Sequence, residues 1–191
     1  MESDGHALRG TKASAVGLSQ DQQRAAVVTA ARTWLGTPYH HAGRVKGAGV
    51  DCAMLLAETY AEAGVIAPVE IAPYSPQWHQ HRSAELYLAY VLERAQEIEG
   101  PPRPGDVALW KFGNCFSHGA IVMEWPMIIH AFIHRPVTID NAEAAQWLHR
   151  TGEKAGDRQG IRPRKFFSLW QPPRGEAKLH LSGQEFPGGN S

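Results

Sequence analysis

Two cysteines in 191 residues, Cys52 and Cys115, are too few for a disulfide scaffold. Charge of one sign is also missing: Lys and Arg together number 19, as do Asp and Glu, so the formal net charge is zero. A neutral chain lacks the basic excess of a dedicated nucleic-acid binder and the cationic patch that holds a protein on an anionic membrane. No apolar run approaches the ~20 residues that cross a bilayer, and Met1 to Gly10 lacks the basic-then-apolar layout of a secretion signal. A chain of this length buries roughly 70% of its unfolded surface, so it needs neither a disulfide nor a metal to fold. Histidine, by contrast, is abundant, with ten copies. The question is what the two cysteines and the ten histidines do.

Residues 1–18, rich in Gly, Ser and Ala, read as a flexible arm, residues 19–170 as a single domain, and residues 171–191, dominated by Pro and Gly, as a disordered tail. Ser19 with Gln22 forms the signature of a capping box. The helix it opens is expected to run to about Leu35, with Ala25, Val28, Ala31 and Leu35 on one face, and to end at Gly36. A second helix is expected from near Asp51 to Ala63, stopped by Gly64, and a third from Ser83 to about Gln96. After the Pro- and Gly-rich stretch 100–105 the pattern changes. Short apolar runs at 106–111, 118–123, 127–134 and 137–140 read as antiparallel strands, residues 141–149 as a short helix, and Phe166 to Trp170 as a closing strand. Helices first and strands second is an α+β order.

Cys52 follows a Gly-rich loop and opens an apolar helical pattern. A thiol in the first turn of a helix faces unpaired backbone N–H groups and the positive end of the dipole, which lower its pKa and favour the thiolate nucleophile. A buried structural cysteine is the competing explanation. Cys115 and His118 have the C-x-x-H spacing of a zinc half-site, but a second ligand pair is missing, and a Cys52–Cys115 disulfide has no supporting signal. His79, His81, His40 and His41 lie in stretches that read as solvated loops. His118 and His130 sit on neighbouring apolar strands joined at Glu124-Trp125-Pro126, which brings them near each other at one end of a hairpin. Cys52, a base and a group orienting that base complete a nucleophilic site, with His134 a rival to His130 for the orienting role. No cofactor or metal is called for.

In order and spacing, Gly36-Thr37-Pro38-Tyr39, Gly49-Val50-Asp51-Cys52, Pro104-Gly105-Asp106, Ser117-His118-Gly119 and Ile129-His130-Ala131 resemble the NlpC-type cell-wall cysteine peptidases, over about residues 24–170. The resemblance implies a papain-like fold with the nucleophile helix on an antiparallel sheet of about five strands. It implies that Cys52 is the nucleophile, His118 the base and His130 the residue orienting it. Tyr39 matches a tyrosine that assists substrate or oxyanion binding, and Asp51 an aspartate linked to recognition of a stem-peptide amine. The implied reaction is hydrolysis of an amide in the peptidoglycan stem, often D-γ-glutamyl to diamino acid. Ala53-Met54 departs from the Ser-Gly of most members, which bears on the bond cleaved. Pro73-Tyr74-Ser75-Pro76-Gln77-Trp78 resembles the subgroup of phage tails, prophages and gene-transfer agents. That implies synthesis in the cytoplasm, delivery to the wall in a phage-like tail particle, and other tail proteins as partners. A catalytically silent tail assembly protein, and an amidase or acyltransferase on the same fold, are the alternatives.

Overall fold

The computed structural model describes residues 17–71, 74, 86–148 and 162–170. The arm and tail expected at the two ends therefore lie outside the described residues, apart from Gly17 and Leu18, as do Ser83, His79 and His81.

Helix α1 spans Gln20–Arg32. The capping box forms as expected: Ser19 Oγ accepts from the Gln22 N–H, and the Gln22 side chain accepts from the Ser19 N–H at 2.8 Å. The buried stripe differs from the expected one. It runs through Arg24, Val27 and Ala31 to Trp34, while Ala25 and Leu35 are exposed. The cause is one long-range ion pair. Arg24 turns inward to Asp106 at 2.8 Å, with both side chains at or below 5% exposure. The Arg24 guanidinium also donates to Pro104 O and Ser168 Oγ, and it lies 4.2 Å over the Trp170 ring. A period of 3.6 rotated onto that arginine buries Val27 rather than Val28.

A two-stranded ribbon, β1 (Arg44–Val45) and β2 (Gly49–Val50), leads into α2 (Cys52–Glu62). Gly49 is required there, because a Cβ would lie 2.6 Å from the Cβ of His40. The third helix, α3 (Leu86–Leu92 among the described residues), ends earlier than expected, because the chain becomes strand β3 at Gln96–Ile98. Then come β4 (Val107–Phe112), β5 (Cys115–Glu124), β6 (Met127–His130), β7 (Thr138–Asn141), the one-turn helix α4 (Ala145–Leu148) and β8 (Arg164–Ser168).

The main sheet is antiparallel, as expected, with six strands among the described residues where about five were expected, in the order β3-β8-β4-β5-β6-β7. The expected closing strand is an interior one. β8 inserts between β3 and β4, pairing Phe167 with both Glu97 and Val107. Side chains alternate across the sheet. Val107, Leu109, Ile121 and Ile129 face α1, α2 and α3 in the main core, which includes Val27, Trp34, Leu55 and Tyr60. Ala108, Trp110, Ala120, Val122 and Ile128 point the other way and pack on Trp147 of α4. This is an α+β fold with helices packed on an antiparallel sheet. Among the described residues no helix is long and apolar enough to cross a membrane.

Removing one partner of a buried ion pair strands the other charge, so Arg24→Met should lower the unfolding free energy by about 3–5 kcal/mol. Arg103→Ala, whose bond to Asp21 is exposed on both sides, should change it by less than about 1 kcal/mol. Urea unfolding of the two variants measures the contrast.

Candidate active site

Asp51 begins the site. It is the N-cap of α2, its Oδ1 accepting from the Met54 N–H at 3.0 Å, which fixes Cys52 as the first helical residue. Its Oδ2 accepts from the Ala42 N–H at 2.7 Å and from the Tyr74 hydroxyl. Ala42 holds a positive φ of 54°, so the loop is bent to bring that N–H to the carboxylate. The ring of His41 stands 3.7 Å from the same oxygen and packs edge-on to Tyr74, with Nε2 bonded to Tyr74 O. His41, expected in a solvated loop, thus lines the cleft beside Cys52, while His40 is exposed.

Cys52 is half-buried and free, and its Sγ donates to Ser117 O at 3.8 Å. The backbone N–H groups of Gly119, Ala53 and Cys52 face the sulfur and favour the thiolate, but they do not win. Burial first, then the Asp51 carboxylate, pushes the thiol from 9.0 up to about 12. The lowered pKa expected from the helix terminus is therefore reversed, and the resting group is a thiol. Tyr87 of α3 donates to Cys52 O at 3.1 Å. Its hydroxyl lies where a Cβ on residue 119 would be, so glycine at that position lets α3 and the start of α2 close on β5.

His118 lies inside β5 rather than at its mouth. By register it shares a face with Trp110 and Ala120, the face turned away from α2. Sulfur and imidazole therefore approach β5 from opposite sides: the thiol meets the backbone of Ser117 and Gly119, the residues flanking His118. Both side chains line one cleft of about 650 Å³, together with Tyr39, Tyr74 and Asp51. The His118 ring stacks on Trp147 at 5.1 Å and 22° and meets Phe132 and Phe112 edge-on. Burial in that aromatic box, with His130 and Arg162 nearby, holds His118 well below the ordinary 6.5. It is a neutral base.

His130 is fully buried at the end of β6, with its ring 5.2 Å from that of His118 and perpendicular to it. Nε2 of His130 lies 3.1 Å from Asp140 Oδ2, and Arg135 holds the same carboxylate. Burial lowers His130 to about 4 against the pull of Asp140, so this contact is a hydrogen bond to a neutral ring rather than an ion pair. His134 does not compete for this place: β6 ends at His130, and His134 sits in an exposed turn at a φ of 66°. Tyr39 pairs through its backbone with Val50 and is half-buried. Burial, Cys52 and Asp51 raise its phenol well above 10, so it remains a hydrogen-bond donor.

The structure thus gathers Cys52, His118, Tyr39 and Asp51 on the cleft, with His130 behind His118. Ala53 also lines the cleft, whereas Met54 is core. Sequence reasoning missed Asp140, Trp147, Tyr87 and His41. An aspartate at alternation spacing on β7 was the only available signal for the first. Among the described residues no group of three or more His, Cys, Asp or Glu could hold a metal ion.

Both histidines are neutral when folded and have ordinary values when unfolded. The unfolded state therefore takes up more protons as pH falls below 6.5, and stability is lost in that direction. The unfolding free energy should fall between pH 6.5 and about 4 with up to about 1.4 kcal/mol per pH unit from each histidine. Urea unfolding across that window measures it, and His130→Asn should remove its share of the slope.

The sequence model described as the NlpC/P60 family matches residues 36–155. Among solved structures, the chain is similar to the NlpC/p60 domain of the peptidoglycan hydrolase SagA, at 21% identity over 65% of this chain and 91% of that one, with a TM-score of 0.44. It is also similar to the peptidoglycan hydrolase RipB of Mycobacterium tuberculosis, at 17% identity over 65% of this chain, with a TM-score of 0.46; the match spans 61% of that protein. A third is RipD of the same organism, described as a non-catalytic NlpC/p60 domain protein, at 14% identity over 76% of this chain and 96% of that one, with a TM-score of 0.44. No curated protein matches significantly.

Proposed function

This chain belongs to the NlpC/P60 family, and from that premise we propose that it is a cysteine peptidase that hydrolyses an amide bond in the peptidoglycan stem peptide. The observation that carries the reading is that a thiol at the first residue of α2 and a neutral imidazole on β5 open onto one cleft.

In the reaction the Cys52 thiol gives its proton to His118 as Sγ attacks the amide carbonyl, forming the C–S bond. Negative charge gathers on the carbonyl oxygen. The backbone N–H groups of the first turn of α2 and the Tyr39 hydroxyl are the donors available to it. The C–N bond then breaks, and His118 passes the proton to the leaving amine. His118 next takes a proton from water as the hydroxide adds to the thioester, and Cys52 leaves as the thiol. A neutral resting pair is suited to this sequence, since charge is created only when substrate fills the cleft.

The finer reading is cleavage of the D-γ-glutamyl to diamino acid bond, with delivery to the wall in a phage-like tail particle alongside other tail proteins. It is supported by the motif resemblance and by the segment Pro73 to Trp78, of which only Tyr74 is among the described residues. A substrate amine approaching Asp51 would meet an oxygen already engaged by Ala42 and Tyr74. Contacts elsewhere in the cleft must therefore help choose the bond.

Mass spectrometry of muropeptides incubated with the protein identifies the bond. Cys52→Ala should lower product release by at least about a thousandfold; release at the parent rate overturns the reading. The rate should stay level as pH falls to 6.5 and decline only below it, because His118 must be neutral and its pKa lies below that value. An acid limb centred at or above 6.5 would contradict the buried neutral base.

A further inference from the structure

Four ring nitrogens belong to His118 and His130, and their partners are uneven. His130 Nε2 is bonded to Asp140 Oδ2. His130 Nδ1 and His118 Nε2 are both fully buried and without a hydrogen-bond partner. These two unsatisfied nitrogens are on perpendicular rings whose centroids are 5.2 Å apart. Register places Trp110, His118, His130 and Asp140 on one face of four successive strands: Trp110 pairs with His118, and Ile128, two residues before His130, pairs with Asp140. The carboxylate oxygens of Asp140 also accept from Arg135 at 3.1 and 3.4 Å, so the group that meets His130 Nε2 serves as a hydrogen-bond acceptor.

We propose that Asp140 is a fourth member of the site, a positioning residue that fixes the tautomer of His130 and through it the tautomer of His118. A carboxylate accepting at Nε2 puts the His130 proton on Nε2 and leaves Nδ1 as a lone pair. Three buried ring nitrogens around it lack an acceptor, His118 Nε2 and the indole nitrogens of Trp147 and Trp110, and the lone pair is assigned to His118, its neighbour on the adjacent strand. His118 then carries its proton on Nε2, donated to His130 Nδ1, and presents the lone pair of Nδ1 to the cleft and to Cys52. Only one proton moves when the thiol reacts: it leaves Sγ for His118 Nδ1, while the two Nε2 protons stay in place. The Asp140 charge, one ring removed, stabilises the imidazolium formed on His118, as a carboxylate behind a histidine base does elsewhere. Without Asp140, His130 is free to carry its proton on Nδ1. His118 would then have to turn its acceptor inward, and no base would face the thiol.

The groups that act on this pair are few. Asp140 on β7 favours the charged ring, Arg135 in the turn after β6 opposes it, and Arg162 opposes charge on His118. Trp147 of α4 stacks on one imidazole and stands edge-on to the other, and Phe132 and Phe112 close the sides of the box. Packing holds the rings in place but carries no information about where their protons sit. The carboxylate does.

The inference rests on the Cys52–His118 pair proposed above, so the experiment has two readouts. Long-range proton–nitrogen NMR of the full chain, labelled with nitrogen-15, reads the histidine tautomers directly. Wild type should show His130 protonated on Nε2. In Asp140→Asn, which keeps the shape but offers an amide N–H to Nε2, and in Asp140→Ala, the Nδ1–H form should appear. In both variants kcat for muropeptide release should fall about 10- to 100-fold with KM unchanged, and Asp140→Glu should recover most of it. Thermal unfolding of the near-isosteric Asp140→Asn separates this effect from loss of fold. A tautomer unchanged in both variants, a changed tautomer with unchanged kcat, or a loss of rate that only follows the unfolded fraction overturns the proposal. If wild type releases no muropeptide, the peptidase reading fails. The rate of Cys52 alkylation by iodoacetamide then replaces kcat, and the same fall in rate with the same tautomer change still supports the role of Asp140.

Discussion

Asp51 commits both of its carboxylate oxygens within the protein, and the reactive end of the fold is arranged around that commitment. One oxygen caps α2 and determines which residue is first in the helix, and hence where the sulfur of Cys52 stands. The other draws in the Ala42 N–H and the Tyr74 hydroxyl, which closes the loop before the ribbon over the side of the cleft. A single N-cap is worth about 1 kcal/mol, a modest sum for a residue at 2% exposure. Its larger effect is geometric and electrostatic. A buried negative charge one residue from the nucleophile resists a second negative charge there, so the anchor that positions Cys52 also keeps it protonated.

That opposition decides which of two familiar effects controls the thiol. A helix N-terminus stabilises a nearby anion by up to about 1–2 kcal/mol. The rise of Cys52 from 9.0 to about 12 corresponds to roughly 4 kcal/mol in the other direction. The helix dipole and the facing N–H groups are present, but burial and Asp51 together exceed them. The site therefore depends on a base that is ready when substrate arrives rather than on a preformed thiolate. His118 meets that requirement because its aromatic surroundings keep it neutral through the physiological range.

Much of this was legible in the chain. Glycines followed by Asp-Cys and an apolar 3.6 period located the nucleophile helix, and period-two apolar runs located β4 to β7. What escaped was whatever depended on distant partners. The buried face of α1 is rotated toward Val27 because Arg24 finds Asp106 some eighty positions later, and no local pattern announces a buried arginine. β8 is interior because β3, three residues long and half-buried, pairs beyond it; so short a polar strand has no period to read. His134 shares parity with His130, but the chain leaves the strand after His130. His41 looked like a loop residue because its setting comes from Asp51 and Tyr74. Tyr39, Cys52, His118 and His130 were legible as a pattern of motifs, whereas Asp140 and Trp147 became visible only when the sheet register brought them to the histidines.

The two faces of β5 explain how such a site can be both dry and reachable. Even-numbered residues from His118 to Val122 point into the aromatic cluster with Trp110 and Trp147, and the odd-numbered Gly119 and Ile121 point to the helices. The nucleophile on α2 and the histidine on the far face of β5 line the same cleft, and at residue 119 the missing side chain leaves room for the Tyr87 hydroxyl that closes α3 on the strand. There the thiol contacts backbone: Ser117 O accepts its proton and the Gly119 N–H faces the sulfur. The separation leaves the imidazole in surroundings that remove water and charge, while the thiol stays on the cleft wall. It also explains why the base needs support from behind. In a box of Trp and Phe rings a histidine is held firmly but has no inherent preference for which nitrogen carries its proton. A second histidine backed by a carboxylate supplies that preference at the cost of only one further buried ring.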